Sequence, residues 1–90
     1  VTGERVVGAE VARHVLSVMT GCGMYDRSGA WMVSVGIPAK SGVGGGIVAI
    51  VPRVGTVAVW SPGLDKHGNS LAGAVLLEQL VARTGWSVFA

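Results

Sequence analysis

A glycine-rich segment from Pro38 to Ile47 contains the residues of this chain that are best suited to chemistry. It places Lys40, Ser41 and Gly42 directly before Val43 and three further glycines, at the start of an apolar run. Glycines leave the backbone accessible to a ligand because they carry no side chain. Backbone N–H groups and a nearby cation stabilise the oxyanion that develops during acyl transfer. The segment therefore predicts an oxyanion-stabilising backbone site.

Simpler interpretations of the same residues stay open at this point. The glycines can form a β-bulge, Lys40 can be an ordinary solvated lysine, and Tyr25, the single tyrosine of the chain, can be a packing residue. A phosphate-binding P-loop is disfavoured, because that motif has glycine directly before its Lys-Ser pair and this chain has Ala39.

The composition indicates a small domain, or part of a larger one, that has less polar surface than a free-standing domain of this size needs. Of the 90 residues, 50% are hydrophobic and 13% are charged, and the mean hydropathy is +0.58. Soluble domains carry about 25% charged residues. We therefore expect apolar surface that is covered by another part of the same protein or by a second copy in a homo-oligomer.

Charge and cysteine content argue against several classes of partner. Seven Lys and Arg against five Asp and Glu give a net charge of +2 without a basic stripe, so no nucleic acid is expected. The apolar run at residues 47–51 is far shorter than the ~20 residues of a membrane span, so no membrane is expected. Cys22 is the single cysteine, so no disulfide can form within the chain and no metal site is expected. This cysteine content favours a cytoplasmic setting.

Apolar periodicity predicts helices at both ends of the chain. Residues 9–20 repeat apolar side chains at helical spacing after Gly8. A final helix is expected from a cap at Asn69 or Ser70 to about Arg83, with Gly85 ending it.

The middle of the chain predicts a short helix and a hairpin. Residues 28–36 fit either a strand or a short helix, and Ser28 as a cap with Gly36 as a stop favours the helix. Residues 47–51 and 56–60 are β-rich runs joined by a turn, which is typical of a hairpin. The order helix, short helix, strand, strand, helix predicts a mixed α/β (α+β) fold. Because residues 47–51 are apolar throughout, both faces of that strand should be covered.

Several motifs together resemble one enzyme family. The triplet Lys40-Ser41-Gly42 has the form of the Lys-Thr-Gly element of serine β-lactamases, with Ser in place of Thr. With its flanking residues and three further motifs, the chain resembles the C-terminal part of the serine-dependent glutaminases. These motifs are Cys22-Gly23-Met24-Tyr25-Asp26, Trp60-Ser61-Pro62 and Gly68-Asn69-Ser70.

The resemblance implies a β-lactamase-like catalytic domain that hydrolyses L-glutamine to L-glutamate and ammonia, with no metal or organic cofactor. Residues 1–90 would be an incomplete C-terminal portion of that domain. No Ser in the sequence is followed three residues later by Lys, so the family's nucleophile pair is absent and the chain alone should be inactive.

The resemblance also assigns residues to the site. Tyr25 would be catalytic, passing a proton to the departing ammonia, and would contact the substrate. Val43 would bind the substrate oxygen through its main-chain N–H, and Lys40, Ser41 and Gly42 would line the site. The alternative function is a non-catalytic module that self-associates or binds a partner.

Overall fold

The computed structural model, which describes residues 3–90, has helices at both ends of the chain and a small antiparallel sheet between them. This arrangement confirms the predicted mixed α/β class and the order of the three helices and the hairpin. The elements are α1 (Ala9–Cys22), a single 3₁₀ turn (Tyr25–Arg27), α2 (Ser28–Ser34), β1 (Ala39–Ser41), β2 (Gly46–Val51), β3 (Gly55–Trp60) and α3 (Leu71–Thr84).

Capping residues fix both ends of α3, as the sequence predicts. The Ser70 hydroxyl oxygen accepts a hydrogen bond from the N–H of Gly73 at 3.2 Å, which satisfies a donor of the first turn. Gly85 adopts a left-handed conformation with φ +72° and donates its N–H to the carbonyl of Val81. A side chain at position 85 would be strained in this conformation.

The ambiguous segment after residue 28 is helical in its first part. The carbonyl of Trp31 accepts hydrogen bonds from the N–H groups of both Val35 and Gly36. Gly36 has φ +86°, so the helix ends there. The Trp31 ring is buried, and its indole N–H donates to the carbonyl of Ile37 at 2.9 Å. This contact ties α2 to the chain that enters the sheet.

The sheet has three strands in the order β1-β2-β3, one more than the predicted hairpin. In β1, Ala39 pairs with Ala49 and Ser41 with Ile47. A two-stranded hairpin would leave one edge of β2 unpaired, whereas here β1 pairs with that edge. A strand of three residues with a central lysine has too little periodicity to be recognised in a sequence.

The hydrophobic core lies on one face of the sheet. Ile47, Ala49 and Val51 alternate along β2 and pack with buried side chains that include Trp31 and Leu77. The opposite face of β2 is open at Val48, so within residues 3–90 the expected cover on both faces is not present. Helix α1 has no buried residue, and its predicted apolar face is about half exposed. In this described part of the chain, no helix has both the length and the apolar character to cross a membrane.

Candidate active site

A tight turn between β1 and β2 exposes the backbone N–H that the sequence singles out. Gly45 donates to the carbonyl of Gly42, and Gly42 donates to the carbonyl of Gly46, both at 3.0 Å. Val43 and Gly44 are the central residues of this turn. Among residues 3–90 the N–H of Val43 has no acceptor, and the residue is 71% exposed. The turn therefore presents a free backbone donor on the surface.

The chain after β3 fixes the shape of this turn. Gly45 has φ +99°, and a Cβ on it would lie 2.6 Å from the Ser61 carbonyl oxygen and from the Pro62 Cα, which is closer than atoms can approach. Ser61 donates its N–H to the Gly45 carbonyl, and the Trp60 indole donates to the Gly44 carbonyl, both at 2.9 Å. The Trp-Ser-Pro motif thus holds the turn, and glycine is required at position 45.

Tyr25 reaches the same end of the sheet from the segment after α1. Its side chain is 39% exposed, and its hydroxyl lies 3.5 Å from the carbonyl oxygen of Ser41, two residues before Val43. The contact is long for a hydrogen bond, so the hydroxyl is free to bind another group. Tyr25 has φ +56°, a left-handed conformation that is rare for a residue with a side chain.

Lys40 and Ser41 differ in what they present to the candidate site. The Lys40 ammonium lies 4.7 Å from the centroid of the Tyr25 ring and donates a hydrogen bond to the Ser41 carbonyl. The Ser41 side chain is 2% exposed, faces the core and has no hydrogen-bond partner for its hydroxyl among the described residues. Ser41 thus presents its carbonyl to the site, while Lys40 presents a cation.

A turn at residues 65–69 belongs to this region, although the sequence predicted only a helix cap there, at Asn69 or Ser70. Asn69 is fully buried and donates its side-chain amide to the Met24 carbonyl at 3.0 Å. His67 Nδ1 lies 2.7 Å from the Asp26 carboxylate. A Cβ on Gly68 would contact the Tyr25 ring at 3.7 Å, so the glycine lies directly beside that ring. The signal for this region was the Gly-Asn-Ser motif.

Asp65 organises that turn. Its carboxylate accepts hydrogen bonds from the backbone N–H of His67 at 2.8 Å and of Asn69 at 3.1 Å. Desolvation acts to raise the pKa of Asp65, but these two hydrogen bonds and the positive charges of His67 and Arg27 outweigh it and hold the pKa below its ordinary value. The turn is therefore preorganised around an ionised carboxylate.

Similarity to known proteins identifies the family. The sequence profile of the Glutaminase family matches residues 1–89. The chain belongs to the glutaminase family. It is 58% identical over 89 residues to the glutaminase of Rhizobium rhizogenes, covering 99% of this chain and 29% of that protein. It is also 58% identical over 88 residues to the thermolabile glutaminase of Rhizobium etli, covering 98% of this chain and 28% of that protein. The resemblance seen in the motifs is confirmed.

Solved glutaminase structures have the same fold over nearly the whole chain. A probable glutaminase from Bacillus subtilis in complex with 6-diazo-5-oxo-L-norleucine superimposes with a TM-score of 0.93 at 39% identity, covering 96% of this chain and 30% of that one. Mglu in its glutamate form superimposes with a TM-score of 0.91 at 46% identity, covering 97% of this chain and 20% of that one. This glutaminase chain thus spans less than a third of the length of these relatives.

Proposed function

We propose that residues 1–90 form the C-terminal portion of a glutaminase catalytic domain, and that the whole protein hydrolyses L-glutamine to L-glutamate and ammonia. The observation that carries this proposal is the N–H of Val43, which has no acceptor among residues 3–90 and lies in a hydrogen-bonded turn two residues from the carbonyl that Tyr25 and Lys40 both contact. The nucleophilic Ser and its Lys would come from the remainder of the protein, since the sequence holds no Ser followed three residues later by Lys.

The proposed reaction proceeds through an acyl-enzyme. The Ser hydroxyl loses its proton to the Lys and attacks the side-chain amide carbon of glutamine. The resulting oxyanion is held by the N–H of Val43 and by that of the Ser. Tyr25 donates a proton to the amide nitrogen as the C–N bond breaks and ammonia leaves. Water, activated with the help of Tyr25, then hydrolyses the ester and releases glutamate.

Lys40 and the turn support this chemistry electrostatically. Preorganised donors and cations stabilise negative charge more effectively than water does, because they need no reorganisation as the charge develops. The Lys40 ammonium is held between the Tyr25 ring and the Ser41 carbonyl. The ammonium would stabilise the negative charge that develops beside Val43. Gly42 has open space where a side chain would be, which gives the substrate access to the backbone.

Known structures of relatives agree with this substrate and with a covalent step. A Bacillus subtilis glutaminase forms a covalent complex with 5-oxo-L-norleucine after reaction with 6-diazo-5-oxo-L-norleucine, and Mglu has been solved in a glutamate form. For the present protein we propose L-glutamine as the substrate and, from its single cysteine, a cytoplasmic setting.

The test compares the whole protein with the isolated chain. We expect the full-length protein that contains these residues to release ammonia from L-glutamine, and the 90-residue chain to release none, because it lacks the nucleophile. Release of ammonia is measured with a coupled glutamate dehydrogenase assay, and heat-inactivated protein is the control. A folded full-length protein without hydrolysis would refute the proposed function.

We also propose that the missing part of the protein covers two apolar grooves of this chain. One, of ≈ 360 Å³, lies along α1 and is lined by Val7, Val11, Ala12, Val15, Leu16, Met19 and Ile50. The other, of ≈ 570 Å³, lies along α3 and includes Leu71, Val75 and Leu76. Burial of apolar area is worth roughly 25 cal/mol per Å², so exposing a few hundred Å² favours association by several kcal/mol.

The isolated chain is therefore expected to self-associate, as a dimer or a larger assembly, at low micromolar concentration. Sedimentation equilibrium measures its mass against the 9.1 kDa of one chain. Val15→Glu and Leu76→Glu, which place a charge in each groove, should shift the equilibrium toward the monomer, whereas Arg13→Glu should not. A monomer with cooperative unfolding would show that the grooves need no cover.

A further inference from the structure

Contacts with other residues must stabilise the backbone conformation of Tyr25. Its φ of +56° places a large side chain in the left-handed region, which costs free energy and persists only where the surroundings enforce it. Part of the support is local, because the Ser28 hydroxyl donates to the Tyr25 carbonyl at 2.6 Å and accepts from the Met24 N–H at 2.9 Å. Local bonds alone leave the direction of the ring relative to the sheet undetermined.

Two long-range contacts flank Tyr25 on either side. The preceding residue, Met24, accepts a hydrogen bond from Asn69, and the following residue, Asp26, pairs with His67. These partners are 45 and 41 residues away in the sequence, yet both lie in the turn that Asp65 preorganises. The turn therefore holds the Met24 carbonyl before Tyr25 and the Asp26 side chain after it, with Gly68 beside the ring.

We infer that His67 is a positioning residue for Tyr25, acting through its contact with Asp26. The inference rests on the proposed function, in which Tyr25 carries a proton. The His67 ring is partly buried and the Asp26 carboxylate is largely exposed, so the pair lies at the surface. Pairs of this kind contribute little to overall stability. Such a pair can still fix the orientation of Tyr25. His67 lies in the ordered turn at residues 65–69 and Asp26 lies in the 3₁₀ turn, so their contact joins two segments that are already ordered.

The chain offers both a loss variant and a rescue variant at position 67. His67→Ala removes the contact, whereas His67→Asn keeps a side-chain N–H at the same distance from the backbone as Nδ1. Asp26→Asn weakens the contact from the other side with almost no change in shape. Lys66→Ala, at an exposed neighbouring position, is the matched control.

The experiment measures kcat and KM for L-glutamine with the full-length protein. We expect His67→Ala to lower kcat roughly tenfold, less than the ~10²-fold that a 1 Å misplacement of a reacting group can cost. KM should stay at the wild-type value, His67→Asn should recover most of kcat, and His67→Ala combined with Asp26→Asn should be no worse than His67→Ala alone. Lys66→Ala should match the wild type.

Two results would overturn the inference. One is a wild-type kcat in His67→Ala; the other is a loss of kcat accompanied by a lower unfolding temperature and no recovery in His67→Asn. If His67→Ala does not fold, Asp26→Ala decides, because it removes the acceptor of the contact, and a wild-type kcat in that variant also overturns the inference. These results are distinct from a failure of the proposed function, in which the wild-type protein itself would not hydrolyse glutamine.

Discussion

Replacing Tyr25 by Phe is expected to lower kcat/KM of the full-length protein for L-glutamine by about 10²- to 10⁴-fold, the usual contribution of a general acid or base. The substitution removes one oxygen. The ring keeps its place beside Lys40 and Gly68, and the hydroxyl contact that is lost, at 3.5 Å from the Ser41 carbonyl, is too long to stabilise the fold appreciably. The expected loss is therefore catalytic, and the unfolding temperature should be unchanged.

A substrate with a better leaving group separates proton donation from packing. The γ-p-nitrophenyl ester of glutamate releases a phenolate that needs no proton to depart. If Tyr25 protonates the departing amide nitrogen, Tyr25→Phe should lose much less activity on this ester than on glutamine, measured as kcat/KM for both substrates in the same preparation. Equal losses on both substrates would assign Tyr25 to positioning of the substrate or the nucleophile, and unchanged glutamine hydrolysis would make it a packing residue.

The sequence predicted the elements that depend on local patterns. The caps of α3 at Ser70 and Gly85 and the hairpin at residues 46–60 were recognisable because a cap or a turn is encoded within a few residues. β1 was missed because three residues carry almost no periodicity, and its identity as a strand depends on its pairing with β2. The burial of α1 could not be judged from periodicity either. An apolar stripe shows which side of a helix is hydrophobic, but it does not show whether another element packs against that side.

In the candidate site, too, the sequence predicted the residues that lie in local motifs and missed a contact between distant segments. Tyr25, Lys40 and Val43 were found through motifs that lie close to them in the sequence, and the structure brings them to one end of β1. The contact between Asp26 and His67 spans 41 residues, so no local pattern reports it. Nothing in the residue type of His67 or in its sequence neighbours distinguishes it from an ordinary surface residue. Its position beside the Tyr25 turn follows from how the chain after β3 packs.

Replacing Val43 by Pro is expected to lower kcat by about 10²- to 10³-fold, the usual cost of losing one oxyanion donor. Proline removes the backbone N–H, and at most positions it would also damage the fold. Here the damage should be small. Val43 is the second residue of the turn closed by Gly45 and Gly42, a position where proline is favoured, and its N–H has no acceptor among residues 3–90. Gly42, before it, has no side chain to clash with the proline ring.

The matched control is Val43→Ile, which keeps the N–H and alters only a side chain that is already exposed. It should retain nearly full kcat, while both variants keep the unfolding temperature of the wild type. An inhibitor that mimics the tetrahedral intermediate should lose affinity for Val43→Pro in proportion to kcat, because the donor binds the oxyanion much more strongly than the carbonyl oxygen of the bound substrate. Near-normal turnover in a folded Val43→Pro protein would mean that the oxyanion is held by other groups, and that the free N–H of this turn has no part in the reaction.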